Sequence, residues 1–388
     1  MRIWLVGGGT AGHVSPLLSL APELSRQAGD SKLQINVITD RSPAVLHLLA
    51  GAPDYEVKRI LSGKFRRYRG RSWWSRLFDI KTLLLNLRDT LLILAGTLQS
   101  LSLVLKEKPR VIFINGGSVG VPVALAARLA RIPYIVHESD TVMGLANRMV
   151  APHARVVATA FDANFGSSLA GKTVCTGIPL KEQFLQPPDE KTLNNLKNGL
   201  NLDSTLPVVL ALGGSLGAER LNNWLISQVD DLLDKCQLIL VSGRANYLST
   251  QATISTLRPA LVSRLHLLEF SDRVADLMRI ADVVVTRAGA TTLMEIAATG
   301  RPALIIPNDM LSGGHQSANA LWFVSAGMAE SLPEAAIASD PGLLVRGIHS
   351  LIEDEPRRNR LAQAVAKVHR PDSSEVLAGL ILKAGRGD

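Results

Sequence analysis

The most constraining feature of this sequence is a regular alternation of short apolar segments with longer helix-like segments. The apolar segments are rich in β-branched residues and lack alternating polar positions, which is typical of strands buried on both faces of a parallel sheet. Strands of this kind are joined by helices, so the pattern predicts an α/β fold. The pattern occurs twice, first at residues 3–6, 35–39, 111–114, 134–136 and 156–159, and again at 208–212, 237–242, 265–268, 283–286 and 303–306.

One strand–loop–helix unit occurs in both halves of the chain. Residues 2–24 (RIWLVGGGTAGHVSPLLSLAPEL) and 207–229 (PVVLALGGSLGAERLNNWLISQV) each place a Gly-Gly-Thr/Ser-x-Gly turn between a buried strand and an amphipathic helix. Free backbone N–H groups and the positive helix end favour an anion at such a turn. The repetition predicts two Rossmann-like, doubly wound domains, residues 1–178 and 179–371, with a C-terminal helix at about 372–388 joining the first.

Composition places the chain among folded, water-soluble proteins. Apolar residues make up 47% and charged residues 20%, which excludes a disordered chain and a protein with many membrane spans. The longest apolar stretch, residues 91–105, contains four polar residues and is interpreted as too short and too polar to cross a bilayer. The N-terminus runs directly into glycines, as a first strand does and a signal peptide does not.

The residues that bind metals or form disulfides are scattered. Cys175 and Cys236 lie far apart, no Asp-x-Asp pair occurs, and the eight histidines do not cluster at ligand spacing. We therefore expect no disulfide framework, no metal site and a reducing cytoplasm around the protein.

The first glycine loop supports two hypotheses. Gly7, Gly9 and Gly12 satisfy the G-x-G-x-x-G pattern and Asp40 ends the next strand, as in a dinucleotide-dependent oxidoreductase. His13 lies on the first turn of the following helix, where a neutral imidazole suits a general base facing a phosphate-bearing site. A histidine that only caps or packs is the structural alternative.

Three segments of the second half are candidates for binding a nucleotide sugar. In the second glycine loop, Ser215 adds a hydroxyl donor beside the free amides. Glu295 lies near the start of a helix, where a carboxylate can accept two ribose hydroxyls. Gln316 and Asn319 are one turn apart, as paired amides that bind sugar hydroxyls are. A plain turn, a carboxylate that compensates a helix dipole and an exposed polar face are the structural alternatives.

Four sequence blocks in a fixed order carry a resemblance to a known family. The blocks are GGGTAGHVSP at 7–16, HESDTVMGLANR at 137–148, GGSLGAERLN at 213–222, and TRAGATTLMEIAATGRPALIIP at 286–307 followed by HQSANA at 315–320. Together they resemble the peptidoglycan N-acetylglucosaminyltransferases of glycosyltransferase family 28. The resemblance runs from residue 1 to about residue 325, and the fourth block is its most specific part.

The resemblance implies a GT-B fold, in which two Rossmann-like domains face a cleft. It also implies an inverting transfer of N-acetylglucosamine from UDP-N-acetylglucosamine to undecaprenyl-diphospho-muramoylpentapeptide (lipid I), giving lipid II for peptidoglycan synthesis, without a cofactor. Two alternatives stay within the fold: an epimerase or hydrolase of the same nucleotide sugar, and a related transferase with another lipid acceptor.

The resemblance also implies roles for individual residues. His13 as the base and Glu295 as the ribose-binding carboxylate would be the two central to catalysis. The uracil would meet the backbone of Phe270 and Ser271, and His137, Glu138 and Asp140 would lie on the acceptor side. The rest of the donor site would consist of Thr10, Ala11, Gly12, Lys181, Gly214, Ser215, Gly217, Ala290, Thr291, Thr292, Leu293, Met294, Gln316 and Asn319.

Two blocks depart from the family pattern. The family usually has His-Glu-Gln-Asn where this chain has His137-Glu138-Ser139-Asp140, which replaces an amide by an anion on the acceptor side. At the domain junction it usually has Gly-Asn-Pro-Val-Arg, and this chain has Gly-Ile-Pro-Leu-Lys at 177–181. Lys181 keeps the positive charge but lacks the bidentate fork of arginine.

The net charge of +8 comes from one segment. Residues 57–78 contain eight cations and no acid, whereas the remaining 366 residues carry 34 charges of each sign. Aromatic residues alternate with the cations, as at an anionic bilayer surface. We expect a peripheral protein at the cytoplasmic face of the bacterial cell membrane, with nucleic acid and a solvated loop as the alternatives. The predicted membrane patch is Arg66, Arg67, Arg69, Arg71, Trp73 and Trp74.

Overall fold

The computed structural model contains two compact units. The first comprises residues 1–180, 311–315 and 372–388, and the second comprises residues 181–310 and 316–371. The structure describes residues 1–29, 32–50, 55–63, 80–162, 165–166, 169, 171–213, 217–310 and 313–387.

The first unit contains a seven-stranded parallel sheet with the spatial order β3-β2-β1-β4-β5-β6-β7. The chain moves outward from β1 to β3 and then returns to the other side of β1, so the direction of winding changes between β1 and β4. Ligands of such sheets bind beyond the carboxyl ends of the strands at this switch point. The strands are β1 (Arg2–Val6), β2 (Gln34–Thr39), β3 (Glu56–Arg59), β4 (Val111–Ile114), β5 (Tyr134–Glu138), β6 (Val156–Thr159) and β7 (Thr173–Cys175).

The second unit repeats this arrangement with six parallel strands in the order β10-β9-β8-β11-β12-β13. Its switch point lies between β8 and β11. The strands are β8 (Val208–Leu212), β9 (Gln237–Val241), β10 (Leu265–Leu268), β11 (Val283–Thr286), β12 (Ala303–Ile305) and β13 (Glu330–Ser331).

Helices connect the strands and cover the sheets. In the first unit they are α1 (Ala11–Ala28), α2 (Pro43–Ala50), α3 (Ile80–Glu107), α4 (Gly120–Leu129) and α5 (Leu145–Val150), followed by a 3-10 turn at Ala151–His153. Those of the second unit are α6 (Glu182–Leu185), α7 (Glu190–Gly199), α8 (Glu219–Ser227), α9 (Val229–Leu232), α10 (Tyr247–Ile254), α11 (Pro259–Val262), α12 (Val274–Ile280), α13 (Ala290–Thr299), α14 (His315–Ser325), α15 (Glu334–Ser339), α16 (Gly342–Glu353) and α17 (Glu355–Ala366). The last helix, α18 (Ser373–Arg386), belongs to the first unit.

Both faces of each sheet are buried, as the apolar strands predict. Ile3 and Leu5 of β1 pack in one core cluster with α1 and α18, whereas Trp4 and Val6 pack in a second cluster with α3 and α4. All four side chains are completely buried. Because successive side chains of a strand point to opposite faces, a strand covered on both sides must be apolar throughout.

Helix α3 contains the apolar stretch at 91–105. The helix has 28 residues, and its part Leu84–Glu107 has the length and mean hydropathy, 1.3, of a membrane-crossing helix, with 33% of it buried. Asp89, Thr97 and Ser100 interrupt the apolar run in the sequence, but they are buried toward the rest of the unit. The helix is thus longer than the apolar stretch of the sequence, and because part of it is buried in the unit, it is no clear membrane span.

Candidate active site

His13 is held at the carboxyl end of β1. Thr10 has an extended backbone and precedes α1, whose first turn contains His13, as the sequence predicts. The Nδ1 atom of His13 lies 2.8 Å from the carbonyl oxygen of Gly8. Because a carbonyl oxygen only accepts hydrogen bonds, Nδ1 carries a proton, and in the neutral form of the ring the lone pair is on Nε2. This geometry is that of a base whose Nε2 atom can accept a proton.

Two glycines after β4 bring the neighbouring loop against His13. Gly116 has a φ of +84°, and a Cβ atom there would lie 3.2 Å from Cδ2 and 3.3 Å from Nε2 of the His13 ring. A Cβ atom on Gly117 would lie 2.5 Å from the carbonyl oxygen of Gly8. Both loops therefore approach each other closely at the switch point. A Gly-Gly pair one residue after a buried strand is the sequence signal that identifies these residues.

A buried polar network lies behind this loop. His137 at the end of β5 is completely buried, with Nδ1 at 2.6 Å from Oδ1 of Asn115 and Nε2 at 2.9 Å from the carbonyl oxygen of Gly177. Burial lowers the pKa of His137 to about 4, so the ring is neutral at pH 7. A neutral imidazole has one N–H group and donates to only one of these two acceptors.

Glu138 fixes the loop that follows β5. Its carboxylate accepts hydrogen bonds from the backbone N–H groups of Asp140 and Gly144 and from the side-chain amide of Asn147. Burial, and next the charge of Asp140, raise the pKa of Glu138 to about 7. Of the three residues predicted on the acceptor side, His137 and Glu138 are thus interior, and only Asp140 is partly exposed.

Asp40 stands where the dinucleotide hypothesis requires a carboxylate, directly after β2. Its Oδ1 atom accepts a hydrogen bond from the backbone N–H group of Ser42 at 3.0 Å. A Cβ atom on Gly8 would lie 3.0 Å from the Asp40 carboxyl group. The carboxylate therefore packs against the first glycine loop and orders the start of the loop that leads to α2.

Gly213 and Gly217, on either side of the centre of the second glycine loop, are closely packed. A Cβ atom on Gly213 would lie 2.4 Å from the backbone nitrogen of Ala218, and one on Gly217, whose φ is +73°, would lie 2.7 Å from Nδ2 of Asn246. Gly214 and Ser215, which are predicted to bind the diphosphate, lie outside the described residues.

Glu295 lies in the second turn of α13, whose first turn contains no acid. The alternative that this carboxylate compensates the helix dipole is therefore wrong. Burial raises the pKa of Glu295 to about 7, and the charge of Lys181 opposes the shift. The structure thus brings two predicted donor-site residues, Glu295 and Lys181, into electrostatic contact within one unit.

At the start of α13, before Glu295, most of the polar groups that could bind a ligand belong to the backbone and not to side chains. Ala290, Leu293 and Met294 are buried, while Thr291 and Thr292 are partly exposed. Of the residues predicted to enclose the diphosphate and sugar, only the two threonines present polar side chains, and the free N–H groups of the first turn are the other donors.

Gln316 and Asn319 both bond to the protein itself. The backbone N–H group of Asn308 donates to Oε1 of Gln316 at 2.8 Å, and Nδ2 of Asn319 donates to the carbonyl oxygen of Ala288 at 3.1 Å. Asn319 is completely buried, so the alternative of an exposed polar face is wrong for it. These amides connect α14 to the loops that follow β11 and β12.

An exposed aromatic ring follows β10. Phe270 is 60% exposed, and the guanidinium carbon of Arg244 lies 5.0 Å from its ring centroid. The backbone N–H group of Arg273 donates to Oγ of Ser271 at 3.1 Å. No sequence motif identifies Arg244, because its contact joins two loops that are far apart in the chain.

The predicted membrane patch, with its four arginines and two tryptophans at 66–74, lies outside the described residues. Two cations of the same basic segment are described, on β3. Lys58 forms ion pairs with Glu56 and Glu107 and is therefore part of the fold.

Two parallel, doubly wound units, each with a glycine loop at its switch point, define the GT-B class of glycosyltransferases and confirm the predicted fold class. The chain belongs to glycosyltransferase family 28, since the model of the N-terminal domain of this family matches residues 3–159 and that of the C-terminal domain matches residues 208–377. The chain is thus an enzyme that transfers a sugar, and the hypothesis of a dinucleotide-dependent oxidoreductase is wrong.

Similar proteins are known from bacteria. UDP-N-acetylglucosamine--N-acetylmuramyl-(pentapeptide) pyrophosphoryl-undecaprenol N-acetylglucosamine transferase of Geobacillus thermodenitrificans is 32% identical over 389 residues, which cover 99% of both chains. The crystal structure of Acinetobacter baumannii MurG has a TM-score of 0.70 and 23% identity, and covers 99% of this chain and 100% of its own. UDP-GlcNAc 2-epimerase of Neisseria meningitidis, bound to UDP-GlcNAc, has a TM-score of 0.68 at 12% identity, covering 99% and 100%. The family resemblance of the sequence blocks is confirmed.

Proposed function

We propose that this chain transfers N-acetylglucosamine from UDP-N-acetylglucosamine to the muramoyl sugar of lipid I, giving lipid II. The observation that carries the proposal is the 32% identity, over 99% of both chains, to an enzyme named for this transfer. A likeness over the full length includes both units and favours a transferase over the epimerases, whose likeness at 12% identity concerns the fold alone.

His13 is the proposed base of the reaction. Its Nε2 atom accepts the proton of the attacking hydroxyl group of the muramoyl sugar while the Nδ1–H group stays bonded to Gly8. The hydroxyl oxygen forms a bond to the anomeric carbon of N-acetylglucosamine from the face opposite UDP. The bond between that carbon and the diphosphate oxygen breaks, UDP leaves with the electron pair, and the configuration inverts.

The second unit is the proposed donor site. The free N–H groups at the start of α13 and of the glycine loop before α8 stabilise the negative charge that develops on the leaving diphosphate. Glu295 accepts hydrogen bonds from the ribose hydroxyls. The exposed ring of Phe270, with Arg244 over it, supports a stacking surface for the uracil beside the Phe270–Ser271 backbone.

The proposed location is the cytoplasmic face of the cell membrane. The basic segment at 57–78 leads into α3, which exposes leucines at positions 84, 87, 91, 94, 98 and 105. These positions are three, four or seven residues apart and so lie on one side of the helix. An exposed apolar stripe that follows a segment of cations and aromatic residues in the sequence suits an anionic membrane surface that carries a lipid-linked acceptor.

A transfer assay tests the proposal. Purified wild-type enzyme is incubated with radiolabelled UDP-N-acetylglucosamine and lipid I, and labelled lipid is extracted and quantified. We expect labelled lipid II from the wild type, a loss of about 100- to 10,000-fold in kcat for His13→Ala, and weakened donor binding for Glu295→Ala. His153→Ala, an exposed histidine of the same unit, is the control and keeps wild-type activity. Folded wild-type enzyme that makes no labelled lipid would contradict the proposal.

A further inference from the structure

Asn115 connects the base loop to the interior of the first unit. It directly follows β4, is 1% exposed, and its backbone N–H group donates to the carbonyl oxygen of Val6 at 2.8 Å. Its side-chain Nδ2 atom donates to the backbone carbonyl oxygen of His13 at 2.9 Å. Its Oδ1 atom lies 2.6 Å from Nδ1 of His137. One buried amide thus contacts both the backbone of His13 and a buried imidazole.

Few side chains could replace this amide. Nδ2 of Asn115 donates to the His13 carbonyl oxygen, and Oδ1 of the same amide lies 2.6 Å from Nδ1 of His137. A side-chain amide can make both contacts, whereas an ionised carboxylate has no donor for the carbonyl oxygen and an apolar side chain has neither a donor nor an acceptor. An apolar residue would remove the hydrogen bond that ties this carbonyl oxygen to the loop after β4.

His13 is therefore fixed at two points. The ring is held through Nδ1 by the Gly8 carbonyl oxygen, and the backbone is held through its carbonyl oxygen by Asn115. These two bonds together determine where Nε2 points, because the ring cannot turn about its side-chain bonds without breaking the first and the first turn of α1 cannot shift without breaking the second. Chemical steps are sensitive to displacements of this kind.

We propose that Asn115 is a positioning residue for His13, holding its backbone so that Nε2 faces the acceptor hydroxyl. This inference rests on the proposed role of His13 as the base. Asn115 touches no reacting atom and acts only through His13.

The test uses Asn115→Leu, which removes both contacts, and Asn115→Asp, which keeps the shape and the acceptor but removes the donor to His13. The matched control is Asn36→Leu on β2, a completely buried asparagine whose Nδ2 atom donates to Glu107 in the same unit. For each variant of the full-length enzyme, kcat and KM for UDP-N-acetylglucosamine are measured with lipid I, together with the melting temperature.

We expect both Asn115 variants to lose about 10- to 100-fold in kcat with an unchanged KM for the donor. The control variant Asn36→Leu is expected to have a lower melting temperature and an unchanged kcat per folded molecule. If Asn115→Asp keeps the wild-type kcat, the inference is overturned. It is also overturned if both Asn115 variants have a lower melting temperature but an unchanged kcat, as the control does, because Asn115 is then merely structural.

A double variant separates this inference from the proposed function. If Asn115 acts through His13, the combination His13→Ala with Asn115→Leu is no slower than His13→Ala alone, because residues that act through one group are not additive. A further loss in the double variant would show that Asn115 acts elsewhere. If His13→Ala itself keeps the wild-type kcat, the proposed base is wrong, whatever Asn115 does.

Discussion

The proposed base His13 depends on neighbouring residues that have no reactive group of their own. Gly116 leaves room for the edge of the ring that carries Nε2, and Gly8 provides the carbonyl oxygen that fixes the proton on Nδ1. The imidazole supplies the chemistry, while these backbone groups decide its tautomer and direction.

We predict that Gly116→Ala lowers kcat by about tenfold or more, because a Cβ atom at 3.2–3.3 Å from the ring displaces Nε2. The substitution also costs about 1–2 kcal/mol of stability, since φ is positive at this position. Gly171→Ala is the matched control: its φ is +78° and a Cβ atom there meets nothing within 4 Å. The kinetics and the melting temperature of both variants test this. Equal losses of activity and of stability in Gly116→Ala and Gly171→Ala would contradict the prediction.

Glu295 makes the stability of the protein depend on pH. Its pKa is raised from 4.5 to about 7 by burial, so the folded state binds this proton more tightly than the unfolded state does. The free energy of unfolding therefore falls as the pH rises from about 4.5 to 7. We expect Glu295→Gln, which cannot ionise, to be about 1–3 kcal/mol more stable than the wild type at pH 8 and equal to it near pH 4. Urea unfolding at both pH values measures this.

The control for this experiment is Glu269→Gln, which changes an exposed carboxylate of the same unit. Its stability relative to the wild type should be nearly the same at both pH values. A Glu295→Gln variant that gains nothing at pH 8 would mean that the carboxylate is well solvated.

At the scale of single residues, the sequence predicts the reactive side chains better than it predicts the residues that hold them in place. His13 and Glu295 follow from local motifs, because a glycine loop or a strand end places them beside a helix start. Asn115 and Arg244 belong to no motif, since their contacts cross between segments. The burial of His137 and Asn319 is also invisible in the sequence, because a polar residue inside a parallel sheet protein is stabilised by partners that only the folded chain provides.

At the scale of an element, α3 has two faces with different roles. Its buried side packs against the rest of the unit through Ile93 and Val104, and its exposed side carries the leucine stripe. Six leucines that are each more than half exposed are unusual for a helix whose outer side faces only water.

We predict that replacing Leu91, Leu94 and Leu98 by serine weakens binding to phospholipid vesicles about tenfold or more, because their apolar surface no longer enters the membrane. Co-sedimentation with vesicles measures this. The control replaces Leu129, Leu248 and Leu321, which are 66–76% exposed, against 56–70% for the stripe residues, but lie on three other helices. Equal losses for the two triple variants would contradict a specific role of the stripe.

The arginines of the predicted membrane patch make a separate contribution. Replacing Arg66, Arg67, Arg69 and Arg71 by serine should weaken binding to anionic vesicles, by about 1 kcal/mol for each charge near the surface, and leave binding to neutral vesicles unchanged. If co-sedimentation with anionic vesicles is unchanged, the membrane interpretation of the patch is wrong.

At the scale of the whole molecule, the end of the chain completes the fold of its beginning. Leu377 and Ile381 of α18 are completely buried and pack with Leu17, Leu20 and Leu24 of α1. The first unit therefore needs both ends of the chain, and it cannot finish its core before the second unit has been synthesised.

We predict that Ile381→Ala lowers the free energy of unfolding by about 2–5 kcal/mol, because the cavity lies in the core of the first unit. Urea unfolding followed by circular dichroism measures the change. Leu248→Ala on the exposed surface of α10 is the control and should change it little. A variant at Ile381 as stable as this control would show that α18 contributes nothing to the core.

The sequence by itself determined the class of the fold and the position of its loops. Apolar segments of strand length require burial on both faces, and glycine loops at their ends mark where anions bind, because both signals depend only on residues close together in the chain. The tertiary structure alone decided which loops meet. Asn115 reaches His13 because β4 pairs with β1 across more than 100 residues, and α18 packs with α1 and β1 in one core cluster. Strand order and helix docking depend on the packing of the whole core, which no local pattern encodes.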